Sequence, residues 1–234
     1  MSRRSDLAVV ESSELPKFAA QLVARLIQQA ATAKSGPISV ALAGGSTPRA
    51  MHEELALVAG LPWDRVAFYF GDERCVPADS PDSNFRMARE SLLERVPVGS
   101  DQVHRMPAEN PDRELAANAY AELLPPALDL LILGIGEDGH TLSLFPGAAS
   151  LLERERRVLP VIGPKPPPER ITLSPAALAA AQDVVMLASG AGKAEAVKRA
   201  LEGAWDPSAT PAQLARAAFW VVDRAAASAL TARP

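Results

Sequence analysis

Asp138 and His140, two residues apart, are the pair in this chain best suited to moving a proton. Histidine titrates nearest neutral pH and is the commonest general base, and a neighbouring carboxylate can fix its tautomer. The other expectation for Asp138 is that it only caps the turn that follows. Both residues lie in the segment 130–146, LLILGIGEDGHTLSLFP, where an apolar run that reads as a buried strand enters a glycine-rich turn. Ligands of open α/β sheets collect beyond the carboxyl ends of the strands, so this turn is the expected seat of chemistry. Of the other histidines, His52 falls within an amphipathic helix and His104 beside a short strand, and both are expected to be structural or exposed.

Three more strand exits carry groups that suit an anion. Residues 40–48, VALAGGSTP, end a strand in Gly44 and Gly45 and continue through Ser46 and Thr47 into a helix with proline in its first turn. Glycines let backbone N–H groups approach a phosphate, and a helix N-terminus favours one. An ordinary turn capped by Ser46 or Thr47 is the competing expectation, and the double glycine favours phosphate. Residues 71–77, GDERCVP, place Asp72, Glu73 and Arg74 after an apolar run. There Arg74 could hold an anionic oxygen and Asp72 could orient sugar hydroxyls; a surface salt bridge among the three is the alternative. Arg170 opens the strand RITLS and Lys193 opens a helix after a glycine pair. Each alone reads equally well as a solvated cation, and convergence with the other strand ends favours a binding role.

Two motifs imitate nucleotide sites. GIGEDG, 134–139, fits the dinucleotide pattern G-x-G-x-x-G, but Pro146 ends any helix early and the next strand closes in Gly-Pro without an acid. SGAGKA, 189–194, lacks the first glycine of a Walker A loop and a Ser or Thr after Lys193. Cys75, the only cysteine, has no histidine near it in sequence and reads as a small packed residue. No His, Cys, Asp and Glu cluster has metal-ligand spacing, so no metal is expected.

The elements that would position these groups alternate along the chain. Strands are expected over 7–10, 38–43, 66–70, 103–106, 129–133, 158–162, 171–173, 184–188 and 219–222. Helices are expected over 15–33, 48–58, 84–93, 112–123, 175–181 and 193–201. This alternation specifies an α/β fold, with an open, mostly parallel twisted sheet carrying helices on both faces in a single domain, 1–234. GPKPPP, 163–168, is a stiff extended segment, expected to be a loop beside the site; a domain linker is the alternative.

At 234 residues the chain can bury a core without covalent staples, and 48% hydrophobic against 5% aromatic residues means a core of Ala, Val and Leu. A net charge of −4 gives no reason to expect nucleic acid, and the basic start, Arg3 and Arg4, is too short to change that. A single cysteine suits a reducing compartment. Charges or prolines interrupt every apolar stretch and no secretory signal is read at the N-terminus, so a cytoplasmic protein without membrane contact is expected.

ALAGGSTP, FGDER followed by SNFRMARE, and GIGEDGHTLSLFPG resemble the 6-phosphogluconolactonases, which share a superfamily with the glucosamine-6-phosphate deaminases. The blocks agree in order and approximate spacing from about residue 7 to the C-terminus. The resemblance implies one α/β domain that hydrolyses 6-phosphoglucono-δ-lactone to 6-phosphogluconate, in the oxidative pentose phosphate pathway, without metal or organic cofactor. It implies His140 as general base with Asp138 beside it. Gly44, Gly45, Ser46 and Thr47 would form the phosphate loop, and Arg74, Arg170 and Lys193 would be basic substrate contacts. Asp72 matches a position that the deaminases use in proton transfer. The deaminases carry a glutamate five residues beyond the motif histidine, where this chain has Phe145, and that departure favours hydrolysis. The expected partner is a phosphorylated sugar lactone, with the chain a monomer or weak homo-oligomer. The competing readings are an amino-sugar phosphate deaminase or isomerase, a non-catalytic sugar-phosphate-binding domain, and a nucleotide-dependent enzyme.

Overall fold

In the computed structural model, which describes residues 6–231, the apolar runs become parallel strands buried on both faces. Every residue of β2 (Ile38–Leu42) is buried, as are the first four of β5 (Leu130–Gly134). Such continuous burial is what a parallel sheet covered on both sides requires. Arg3 and Arg4 lie outside the described residues.

The main sheet has six strands in the order β1-β9-β8-β5-β2-β3, with every pairing parallel. Its remaining members are β1 (Asp6–Val10), β3 (Val66–Phe70), β8 (Asp183–Ala188) and β9 (Phe219–Asp223). From β2 the chain moves outward to β3, then returns to β2's other flank as β5 and continues through β8 to β9. The direction therefore reverses between β2 and β5, the switch point where doubly wound sheets open a crevice. Helices α1 (Leu15–Ala33) and α2 (Ser46–Leu55) pack on each other and on strands β2, β5, β8 and β9. The buried small residues Ala19, Ala20 and Ala24 let α1 approach closely.

A second sheet, absent from the sequence reading, has the order β4-β7-β6 and is antiparallel. It consists of β4 (Asp72–Arg74), β6 (Val158–Ile162) and β7 (Glu169–Leu173). The proline segment 163–168 is the hairpin connection of β6 to β7, closed where Gly163 N–H donates to Pro168 O at 2.7 Å, which removes the linker alternative. Helix α4 (Arg113–Leu123) packs against β6 and β7, and its buried Tyr120 hydroxyl bonds both backbone groups of Phe70 at the end of β3.

Three other differences are local. Residues 103–106 form no strand: Val103 makes an isolated bridge to Phe68. The helix expected over 84–93 is α (α3, Asn84–Ala88) for five residues and then a π turn, Arg89–Leu93, beside α2. The helix expected over 48–58 starts earlier and ends at Leu55. Helices α5 (Pro175–Ala180) and α6 (Ala194–Leu201) both contact the 3-10 turn Pro211–Ala215. Among the described residues no helix is long and apolar enough to cross a membrane.

Candidate active site

Because the six strands run parallel, their carboxyl ends share one edge, and four adjacent strands, β8, β5, β2 and β3, deliver loops to the same place. The cleft there, about 200 Å³, is lined by Gly44, Gly45, Asp72, Arg74, Asn84, His140, Leu142, Arg170 and Lys193, among others. Residues separated by up to 150 positions in sequence thus meet at the switch point.

The turn after β5 folds on itself. Gly136 N–H donates to His140 O at 2.8 Å, Gly139 N–H to Gly136 O at 3.0 Å, and the Thr141 hydroxyl to Gly134 O at 2.9 Å. Gly139 adopts φ 93°, a conformation that costs glycine little. Asp138 Oδ1 bonds both the backbone N–H of His140 at 3.1 Å and its Nδ1 at 2.6 Å. Partial burial pushes the Asp138 carboxyl up, but the His140 N–H and imidazole outweigh it and hold it below the usual range. With Nδ1 engaged, Nε2 is the ring nitrogen left for a reacting proton. A Cβ on Gly136 would lie 2.1 Å from His140 Nδ1 and 2.4 Å from Asp138 Oδ1, so the pair needs glycine beneath it. Leu142, at φ 55°, stores strain of about 1–3 kcal/mol in the same turn.

On the opposite wall, Asp72 is buried and its Oδ2 accepts the Ser143 hydroxyl at 2.6 Å. Its Oδ1 accepts Asn84 Nδ2 at 3.2 Å, and that amide also donates to Asp72 O at 2.8 Å. Ser143 N–H in turn donates to Thr172 Oγ1 at 3.1 Å, tying the His140 segment to β7. Glu73 faces the other way. It accepts the N–H groups of Arg74, Asn84 and Phe85 and the Ser83 hydroxyl, anchoring the start of α3. Burial still pushes its carboxyl up against those four donors. Asp72, not Glu73, faces the cleft.

The cations come from both sheets. Arg74 and Arg170 are register partners across β4 and β7. Arg74 Nη1 donates to Asp82 O at 2.6 Å, and Arg170 lies over the Phe145 ring, its Cζ 5.6 Å from the centroid. Burial lowers the Arg170 pKa first of all, and Arg74 adds to that while Asp72 opposes it. Lys193 follows Gly190, which stands at φ 94°. Asp223, at the end of β9, holds that loop by accepting Ser189 Oγ at 2.6 Å and Gly190 N–H at 3.0 Å.

Helix α2 begins at Ser46 with Gly45 as its N-cap, and no side chain caps it. The competing expectation of a turn capped by Ser46 or Thr47 is thus not met: Gly45, at φ 105°, replaces a capping side chain and leaves the first-turn N–H groups open. Ser46 is exposed and Thr47 half-buried in that turn, beside rather than among the cleft-lining residues. Asp138 likewise stands behind His140. Asn84 was missed by sequence reasoning. It falls in the SNFRMARE block, but nothing local gives it a role; its Oδ1 would lie 1.9 Å from a Cβ on Gly44, which follows β2, and that pairing is three-dimensional. His52 is buried with Nδ1 3.1 Å from Ser91 Oγ, His104 stacks on Tyr69 at 4.7 Å, and Cys75 is half-buried outside the cleft. Among the described residues no three His, Cys, Asp or Glu side chains are grouped to hold a metal ion.

A family model described as glucosamine-6-phosphate isomerases/6-phosphogluconolactonase matches residues 11–222. The 6-phosphogluconolactonase of Streptomyces coelicolor is 39% identical over 257 residues, covering 98% of this chain and 96% of its own. The Homo sapiens 6-phosphogluconolactonase is 40% identical over 94% of this chain and 91% of its own. Among solved structures, 6-phosphogluconolactonase from Trypanosoma cruzi superposes with a TM-score of 0.87 at 28% identity, covering 99% of both chains. With this likeness running nearly end to end, the chain belongs to the glucosamine-6-phosphate isomerase/6-phosphogluconolactonase family.

Proposed function

We propose that this chain, as one domain over 1–234, hydrolyses 6-phosphoglucono-δ-lactone to 6-phosphogluconate, the lactonase step of the oxidative pentose phosphate pathway, in the cytoplasm. The observation that carries the reading is His140, held by Asp138, on the wall of a cleft whose other groups include Arg74, Arg170 and Lys193.

A δ-lactone is an activated ester, so a positioned water suffices and no covalent intermediate is needed. His140 Nε2 removes a proton as water oxygen bonds to the lactone carbonyl carbon, a contribution of roughly 10²–10⁴-fold. The carbonyl oxygen becomes an alkoxide, stabilised by Arg74 or backbone N–H groups at roughly 3–4 kcal/mol per well-placed donor. Collapse breaks the bond between the carbonyl carbon and the ring oxygen, which takes the proton back from the imidazolium. Asp138 holds the tautomer throughout. The open N–H groups of the Gly44, Gly45, Ser46 and Thr47 segment, with Arg170 and Lys193, hold the distant phosphate. That binding orients the reacting carbon. Asp72, fixed by Ser143 and Asn84, is left to accept hydroxyls of the sugar.

Stopped-flow measurement of lactone loss, corrected for spontaneous hydrolysis, tests this directly. Rapid turnover of the 6-phosphorylated lactone and much weaker turnover of the unphosphorylated one are expected. Equal rates for both, or ammonia release from glucosamine 6-phosphate, would overturn it.

A further inference from the structure

Phe145 is buried, at 7% exposure, and is not among the side chains lining the cleft. It stands behind two that are. Its ring centroid is 4.8 Å from that of His140, tilted by 46°, and 5.6 Å from Arg170 Cζ. Arg170 Nε is buried without a hydrogen-bond partner, so the aromatic face is what the guanidinium rests on. Gly163, which starts the proline hairpin, backs the same assembly: a Cβ there would lie 2.9 Å from the ring's Cε2 and Cζ and 3.1 Å from Arg170 Nε.

We infer that Phe145 is a positioning residue that couples the proton-transferring imidazole to the anion-holding Arg170 through one shared ring. The inference rests on the lactonase reading. An aromatic face attracts cations, and it meets one permanent cation, Arg170, and the imidazole that takes up the proton of the attacking water, His140. Contact with the second is stronger in the transition state than in the ground state, so it acts on kcat. Contact with the first fixes where the phosphate sits, so it acts on KM. Loss of the ring therefore moves both constants, whereas loss of Asp138 moves chiefly kcat and loss of Arg170 chiefly KM.

The test is steady-state lactone hydrolysis by the full chain carrying Phe145→Leu, which keeps an apolar group and removes the π face. The expectation is a kcat about tenfold lower, since small misplacement of a base is costly. KM should rise about threefold, the size of one cation–π contact. Combined with Arg170→Met the KM effects should not add, and combined with Asp138→Asn the kcat effects should not add. A variant that only melts earlier, or whose effects add fully in both pairs, overturns the inference. Gly163→Ala presses on the ring from outside the cleft and covers the case of Phe145→Leu failing to fold. It should lower kcat and raise KM together, and wild-type values for both would also overturn the role. Active wild type with silent variants removes only Phe145 from the mechanism. Wild type without turnover removes the lactonase reading and this role with it.

Discussion

Arg74 and Arg170 sit directly opposite each other on antiparallel strands β4 and β7, and both line the cleft. Like charges directly across a ladder are destabilising, and here burial already disfavours the charged form of Arg170. Under the proposed function a bound anion would relieve what the ladder opposes, and the pair would exchange fold stability for grip on substrate. Arg170→Met should leave the melting temperature unchanged or slightly higher while raising KM about tenfold or more, the loss of one charge-assisted hydrogen bond. Inorganic phosphate should raise the melting temperature of the wild type more than that of the variant. Kinetics together with thermal unfolding in phosphate check both halves, and a lower melting temperature with unchanged KM would assign Arg170 a purely structural role.

Removal of the proton-transferring pair should act on turnover rather than affinity. His140→Ala should lose roughly 10²–10⁴-fold in kcat. Asp138→Asn should lower kcat within the same range, because the imidazole stays in place but its preferred tautomer is no longer enforced. Single-turnover rates separate chemistry from release, and near-wild-type kcat in His140→Ala would mean that another group takes the proton.

Gly136→Ala probes the same pair without touching either side chain. The added methyl would fall 2.1 Å from His140 Nδ1, so the imidazole must leave its Asp138 bond. A kcat reduced at least tenfold with KM within about twofold is expected. A fully active Gly136→Ala enzyme would show that the 2.6 Å contact is dispensable.

His52, outside the cleft lining, makes stability depend on pH. Complete burial lowers its pKa from 6.5 to about 3. Between those values the unfolded chain binds a proton that the folded chain refuses, so this group's stability is fully present above pH 6.5 and is lost as pH falls toward 3. From pH 7 to pH 5 the loss from this group is about 2 kcal/mol, at about 1.4 kcal/mol per unit. Urea midpoints at the two pH values should fall less in His52→Gln than in the wild type. Equal falls would place the acid sensitivity elsewhere.

The parts of the site legible in sequence were those written into single strand-and-turn segments. The β5 run with Asp138 and His140, the β2 run with Gly44 and Gly45, and Lys193 after β8 each announce a parallel strand and its exit within a dozen residues. What escaped depends on partners remote in the chain. β4 is three residues, two of them acidic, and becomes a strand only by pairing with β7 nearly a hundred positions later. Val103 bridges to Phe68 but lacks the ladder that would extend it. Asn84 reads as an unremarkable helix start until Gly44 is placed against it. That Asp72 faces the cleft and Glu73 faces α3 follows from strand alternation in that same unseen β4.

The three-stranded sheet ends at β6, and Pro160 stands at the middle of that boundary. Arg157 O and Gly163 N–H bond toward β7, so positions 158, 160 and 162 turn their main-chain groups away from the sheet. At the centre of that outward row, proline offers no N–H to an approaching strand. Apolar Ile162, 80% exposed, and Leu152, 73% exposed, would otherwise make this border attractive to other chains. A single ring thus keeps the molecule from being stitched to its neighbours, and Pro160→Val should form insoluble assemblies faster on warming.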